Sequence, residues 1–333
     1  MIDAVNLYQS IPLHPSQFKK GLWQNRNSRQ GESFYYRKIR GVVILYYWSS
    51  QRMVIKGKLI TLLYDTQVLN VDDLYQTDIS RFLLDVNSNL NRLFTEPVID
   101  IGSFHVSRID YCFNVVTPHV SEYITFLSAA FEKRRNRNQV NYAQVNGLDG
   151  SIYVRNKREY RQNIRDNWTL NFYNKTARLQ YQEQHGTRIS KADWEAAHNV
   201  LRLEVQLSYR AIQSIRTKTG MSNELRNFLD IHLAYSAIET LFQRVFGGNG
   251  SEDFYCYEAA KARLPQNSSA QNILLYSAQN HPITDAKFYY GRKQIELHGI
   301  YPYAFLPAPW GISFLPNPLR LIADKLGAME SEC

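Results

Sequence analysis

The chain is poor in the residues that would cross-link it or tie it around a structural zinc. It has three cysteines in 333 residues, Cys112, Cys256 and Cys333, widely spaced and without a CxxC pair. Such thiols are expected to be reduced side chains of a cytosolic protein, which argues against a disulfide scaffold or a cysteine zinc site. Long hydrophobic runs are missing as well. The longest, Val42 to Trp48, is strand-sized and far too short to cross a bilayer. No secretory signal pattern opens the sequence, so a cytoplasmic protein with no membrane partner is expected. Acidic residues are the minority charge, 30 against 39 Lys and Arg, which gives a net charge of +9 and a pI near 9.3. That balance favours a polyanionic partner. Disorder is excluded, because 44% of residues are hydrophobic and only 21% are charged. Aromatics are plentiful, with 23 Tyr, 16 Phe and 5 Trp, and tyrosine suits both base stacking and nucleic-acid contact.

Periodicity divides the chain into a strand-rich mixed part and a helical part. Strands are expected over Ile2 to Leu13, Ser33 to Ile39, Gly41 to Ser49 and Gln51 to Tyr64, punctuated by Gly31, Gly41 and Gly57. From Asp78 the period changes. Ile79, Phe82, Leu83, Val86, Leu90 and Leu93 fall on one helical face that ends before Pro97. A strand from Val98 to Val116, bent or interrupted near Gly102, precedes a helix that starts at Thr117-Pro118. Further strands are expected at Ser151 to Arg155, Trp168 to Asn174 and Val200 to Leu207, the second running directly into a helix. Beyond Ser208 the pattern is helical, including one long helix from Glu224 to Phe246 and a short closing helix from Leu319 to Ala328. The fold class expected is α+β, an antiparallel-rich central sheet with a helical C-terminal third. A sheet-based unit over 1–220 and a helical region over 221–333 describe the organisation, which is also compatible with one continuous unit.

Three strands carry polar chemistry on one face. In Ser107 to Phe113, Ile109, Tyr111 and Phe113 alternate with Arg108 and Asp110. In Leu201 to Leu207 the leucines and valine alternate with Arg202, Glu204 and Gln206. In Leu170 to Lys175, Asn171, Tyr173 and Lys175 share a face. Amphipathic strands with a solvated polar side explain such alternation without any chemistry. Together, though, the three faces supply two carboxylates, a tyrosine, a lysine and two arginines, the parts needed to cut DNA by tyrosine attack. Carboxylates hold a hard divalent cation, Mg²⁺ or Mn²⁺, which polarises a phosphate. A free phenol titrates near ~10, so the nucleophile needs the metal or Lys175 beside it.

The stretches Val106-Ser107-Arg108-Ile109-Asp110, Leu170-Asn171-Phe172-Tyr173-Asn174-Lys175 with Ala177-Arg178-Leu179-Gln180, and Leu201-Arg202-Leu203-Glu204-Val205 resemble the filamentous-phage gene II replication proteins and related plasmid rolling-circle initiators. An S-R-I-D strand, a Y-x-K segment leading into a helix, and an R-[FL]-E strand come in that order and at similar spacing, over roughly residues 98 to 220. The resemblance implies a metal-dependent endonuclease that nicks one strand at an origin, forms a 5′-phosphotyrosyl intermediate and later rejoins the DNA. It makes Tyr173 the nicking tyrosine with Lys175 beside it, and assigns Asp110 and Glu204 to the metal. One departure stands out: many rolling-circle initiators use a paired-histidine metal motif, and no two histidines here are separated by one residue. His105 has no such partner and reads as structural.

A basic stretch leads into the Tyr173 strand. Lys133, Arg134, Arg135, Arg137, Arg155, Lys157, Arg158, Arg161 and Arg165 are interleaved with Tyr142, Tyr153, Tyr160 and Trp168. Cations suit phosphates and the aromatics suit unpaired bases beside a nick, so origin DNA, single-stranded or in a hairpin, is the expected partner. Arg108 and Arg202 join this set of expected DNA contacts. A host helicase and a homodimer are the protein partners such an initiator implies. The alternatives are a relaxase or transposase of the same chemistry, a non-catalytic origin-binding protein, and a structural protein whose tyrosines only pack.

Overall fold

The computed structural model describes residues 1–28, 31–71, 78–134, 139–142, 150–156, 167–248, 250–266, 268–278 and 286–331. Ten strands form one antiparallel sheet: β1 Ile2–Ser10, β2 Gln24–Asn27, β3 Ser33–Ile39, β4 Val42–Tyr47, β5 Arg52–Gly57, β6 His105–Val116, β7 Gln139–Asn141, β8 Ser151–Asn156, β9 Trp168–Asn174 and β10 Val200–Ser208. Their spatial order is β2-β3-β4-β5-β1-β6-β10-β9-β8-β7. The fold is α+β, with helices beyond residue 208 packed against this sheet.

Alternation decides which side of the sheet is dry. Ile109, Tyr111 and Phe113 of β6, Leu203, Val205 and Leu207 of β10, and Leu170 and Phe172 of β9 are all buried on one side. Helices Val120–Arg134, Tyr209–Thr219 and Ile231–Phe246 cover them, and Phe172 packs edge-on against Phe242 and Phe246. The principal core runs through the chain from Met1 to Leu326, drawing on residues from both sides of residue 220, and a smaller cluster joins Tyr255, Leu264, Leu274 and Ile300. Among the described residues no helix is long and apolar enough to cross a membrane.

Several boundaries move from their expected places for physical reasons. The strand expected to continue to Tyr64 stops at Gly57, whose φ is +134°. A Cβ there would lie 3.0 Å from the Gly41 carbonyl oxygen, a tight contact that adds to the strain of the positive φ for any other residue, and a 3₁₀ turn, Leu59–Leu62, follows. The helix expected from Glu224 to Phe246 is two helices, Leu225–Phe228 and Ile231–Phe246. Asp230 starts the second by accepting from the Leu233 amide at 2.7 Å. β2, with sequence Gln-Asn-Arg-Asn, is exposed at all four positions and so carries no alternation to betray it.

Candidate active site

The polar faces of β6, β10 and β9 come together on the side of the sheet opposite those helices. Tyr173 is opposite Arg202 and Asn171 opposite Glu204 across β9 and β10. Cys112 is opposite Glu204 and Asp110 opposite Gln206 across β6 and β10. Opposed residues share a face, so all of these side chains project from one side of the sheet.

A local corner sets the position of the tyrosine. The Asn174 side chain caps the helix Lys175–Gln184, accepting from the amides of Thr176 at 2.9 Å and Ala177 at 3.3 Å. Strand gives way to helix there, with Tyr173 just before the cap and Lys175 just after it.

The Tyr173 hydroxyl donates to Oε2 of Glu204 at 2.8 Å. Oε1 of Glu204 accepts from Nδ2 of Asn171 at 3.2 Å and from Nε2 of Gln206 at 3.1 Å. Tyr173 is only 5% exposed, and its ring lies 6.1 Å from Tyr153, which stacks on Tyr142. Burial first, and the Glu204 charge second, push the phenol well above its ordinary value. At rest the hydroxyl is therefore protonated, and its proton already points at a carboxylate.

Lys175 lies beside Tyr173, as its position after the cap requires. Its ammonium lies over the Tyr173 ring, 5.9 Å from the centroid. Burial, then the positive charge of Arg202, push it well below its ordinary value. Glu204 is the group in contact with the hydroxyl.

Asp110, 2% exposed, is gripped by Arg108 through both oxygens, Nε to Oδ1 at 2.8 Å and a terminal nitrogen to Oδ2 at 2.6 Å. Its carboxyl is nevertheless pushed up to about 7, by burial above all, with the Arg108 bond opposing and the Glu204 charge adding. Asp110 and Glu204 are hard-oxygen donors on one face, each already accepting hydrogen bonds through both carboxylate oxygens. Asn171 Oδ1, also buried, has no hydrogen-bond partner among the described residues. This donor chemistry fits Mg²⁺ or Mn²⁺, although among the described residues no group of three or more His, Cys, Asp and Glu is placed to hold an ion.

Arg202 corrects an expectation. It is fully buried, and its guanidinium donates to Asn114 Oδ1 at 2.9 Å, Asp3 Oδ1 at 2.8 Å, Asn70 Oδ1 at 3.3 Å and the Val68 carbonyl. Residues 66–71 reach across the sheet to supply two of these acceptors, so Arg202 is an internal anchor and presents nothing to a phosphate. Asp3 and Asn114 are members of this network that the spacing of the three polar strands does not point to. Burial alone would raise the Asp3 carboxyl, but Lys58 at 3.3 Å and Arg202 outweigh it and hold it well below the ordinary carboxylate range.

The remaining expected DNA contacts divide by position. Arg108 is half-buried on β6. Arg155 lies on β8, 5.3 Å over the Tyr142 ring. Arg134 is the last residue of the helix Val120–Arg134. Arg135, Arg137, Lys157, Arg158 and Arg161 lie outside the described residues. His105 is exposed at the start of β6, with its ring 5.5 Å from Tyr8.

Comparison with known families finds a match to the N-terminal region of the phage replication-associated protein, the gene II protein, over residues 53–228, just over half of the chain. That span contains β6, β9 and β10 and every residue of the site except Asp3. A comparison with curated proteins returned no match.

Proposed function

The chain belongs to the gene II replication-associated protein family, whose members are rolling-circle replication initiators, and from that premise we propose that Tyr173 is the nucleophile that nicks one strand of origin DNA. The observation that carries the proposal is the 2.8 Å bond from the Tyr173 hydroxyl to Glu204 inside a buried polar cluster. The Tyr173 oxygen attacks the scissile phosphorus while Glu204 takes the phenolic proton. The bond from phosphorus to the 3′ oxygen breaks, leaving a 5′-phosphotyrosyl linkage on the protein and a 3′ hydroxyl that takes its proton from water. Rejoining is the reverse: the 3′ hydroxyl attacks the linkage and Tyr173 recovers its proton from Glu204. The charge on Glu204 disfavours tyrosinate until the proton moves, so transfer and attack are coupled.

Asp110, Glu204 and the Asn171 amide oxygen would hold a divalent cation. Bound there, it would offset charge on the phosphate oxygens. Asp110→Asn should leave the fold intact and raise the Mg²⁺ or Mn²⁺ concentration needed for half-maximal nicking by about tenfold or more, in line with the loss of one anionic ligand. A titration curve unchanged from wild type would remove Asp110 from the metal site and leave it as the Arg108 partner alone.

The basic stretch supplies a second test of the same reading. Replacing Arg155, Lys157, Arg158 and Arg161 with alanine should weaken binding to single-stranded origin DNA. It should also lower the slope of log affinity against log salt by about 0.7 for each phosphate no longer neutralised. A slope equal to wild type would place these cations in solvent. The founding experiment is direct: incubate the protein with single-stranded origin DNA and Mg²⁺ or Mn²⁺, and look for a covalent adduct on a denaturing gel. An adduct at Tyr173 is the expected result.

A further inference from the structure

Five of the strands extend the sheet well beyond the candidate site, and four of these, β1 to β4, lie outside the family match. On one side of this half, Val42, Ile44, Tyr46, Met53 and Ile55 are almost completely buried. On the other side no strand residue of β2 to β5 is buried. Yet that open side is not the polar surface expected of a solvated sheet.

Strand register sorts its residues into two rows. Lys38, Val43, Lys56, Asn6 and Arg108 stand directly opposite one another across β3, β4, β5, β1 and β6. Crossing four strand intervals, this row spans roughly 19 Å. A second row, Tyr36, Leu45, Val54, Tyr8 and His105, runs about 6.8 Å away, two residues along each strand except β6, where the register shifts. The first row carries the cations Lys38 and Lys56 and ends on Arg108, which Asp110 already holds, and the second is aromatic and aliphatic, His105 included. Arg26 stacks 3.8 Å from the Tyr36 centroid and Arg52 stacks 4.3 Å from that of Tyr8, adding planar guanidinium surfaces to the second row. Arg26, Lys38, Arg52 and Lys56 make no ion pair among the described residues, and no Asp or Glu stands at a strand position of β2 to β5 on this face.

We infer that this open face is a docking track for single-stranded DNA, with phosphates along the Lys38–Arg108 row and unpaired bases against the Tyr36–Tyr8 row. The cations select a polyanion. The half-exposed rings and aliphatic side chains select a strand whose base faces are free, because duplex bases are already stacked on one another. A second copy of the chain would bring like charge against like charge. The track also leads somewhere, since its β6 end is Arg108, which grips Asp110 beside Glu204 and Tyr173. The inference rests on the proposed function only for which strand is held, the one that enters or leaves the nicking site.

The test is fluorescence anisotropy with the full chain, a 20-nucleotide oligo(dT) and a 20-base-pair duplex, in EDTA so that no cleavage contributes. The double variant Lys38→Glu/Lys56→Glu should bind oligo(dT) at least about tenfold more weakly and lower the salt slope by about 1.4, two single-strand phosphate contacts. Tyr36→Ala, which leaves the charge alone, should weaken oligo(dT) binding roughly fivefold or more with the slope unchanged. Because no adduct is measured, these results stand whether or not Tyr173 proves to be the nucleophile. Wild-type affinity and slope in the double variant would overturn the inference. A larger drop in affinity for the duplex than for oligo(dT) would overturn it in favour of duplex binding. A change in sedimentation without a change in DNA affinity would make the face a contact between copies of the chain.

Discussion

Tyr173→Phe is expected to abolish the covalent protein–DNA adduct, a loss of at least about 10³-fold, while DNA affinity stays within about twofold of wild type. Only the hydroxyl is deleted. The ring keeps its place near Tyr153 and under the Lys175 ammonium. Glu204→Gln tests the other half of the pair. Glutamine can still accept the hydrogen bond across the same 2.8 Å, but it cannot take the proton. Loss of a general base lowers the rate by about 10²–10⁴-fold, so a small residual adduct should persist in Glu204→Gln and none in Tyr173→Phe. Rates would be read by single-turnover nicking of a labelled oligonucleotide with saturating metal, which separates proton transfer from metal affinity. Full adduct yield in Tyr173→Phe would move the nucleophile elsewhere. Tyr209 would be examined next, since it is 48% exposed at the helix start just after β10.

Parity within each strand put Arg108 with Asp110, Arg202 with Glu204 and Asn171 with Tyr173, because side chains two apart in a strand must point the same way. That these three faces lie on one side of the sheet comes from the pairing of β6, β10 and β9. Which of them would touch was not legible. That depends on register: Glu204 stands opposite Asn171 and reaches diagonally to Tyr173, and no spacing within one strand encodes such an offset. Arg202 shows the limit most plainly. Its alternation with Glu204 and Gln206 looks identical to that of a solvent-facing cation. It is buried because residues 66–71, more than 130 positions earlier in the chain, supply acceptors across the sheet face. The Asn174 corner was legible in outline, as a strand running into a helix after Tyr173. Its capping geometry explains why the nucleophile and Lys175 flank an asparagine. β2 and the open face it helps build were not legible, since a fully exposed Gln-Asn-Arg-Asn strand has no hydrophobic partner pattern to reveal it.

The buried anchor beneath the site should be the most sensitive point for stability. Among the described residues Asp3 is the one carboxylate bonded to the Arg202 guanidinium, at 2.8 Å, and it also meets the Lys58 ammonium. Asp3→Asn leaves a fully buried guanidinium without that anion, a change that costs about 3–5 kcal/mol when one partner of a buried pair is removed. The pH dependence distinguishes lost charge from lost shape. The folded chain holds the Asp3 carboxyl well below its ordinary value, so on acidification the unfolded chain takes up this proton first. The stabilisation is complete above the unfolded value, near ~3.9, and is lost as pH falls through the depressed folded value. Urea unfolding at pH 7 should therefore show the full deficit of Asp3→Asn, and unfolding near pH 3 a smaller one. A deficit that stays constant across that range would mean that Asp3 acts through packing and hydrogen bonding alone. The network joins β1, Lys58 after β5, Asn114 of β6, Arg202 of β10 and the segment at Val68. Weakening it loosens the strand that carries Glu204, so nicking by Asp3→Asn should fail at a lower temperature than nicking by wild type, with the two rates alike in the cold.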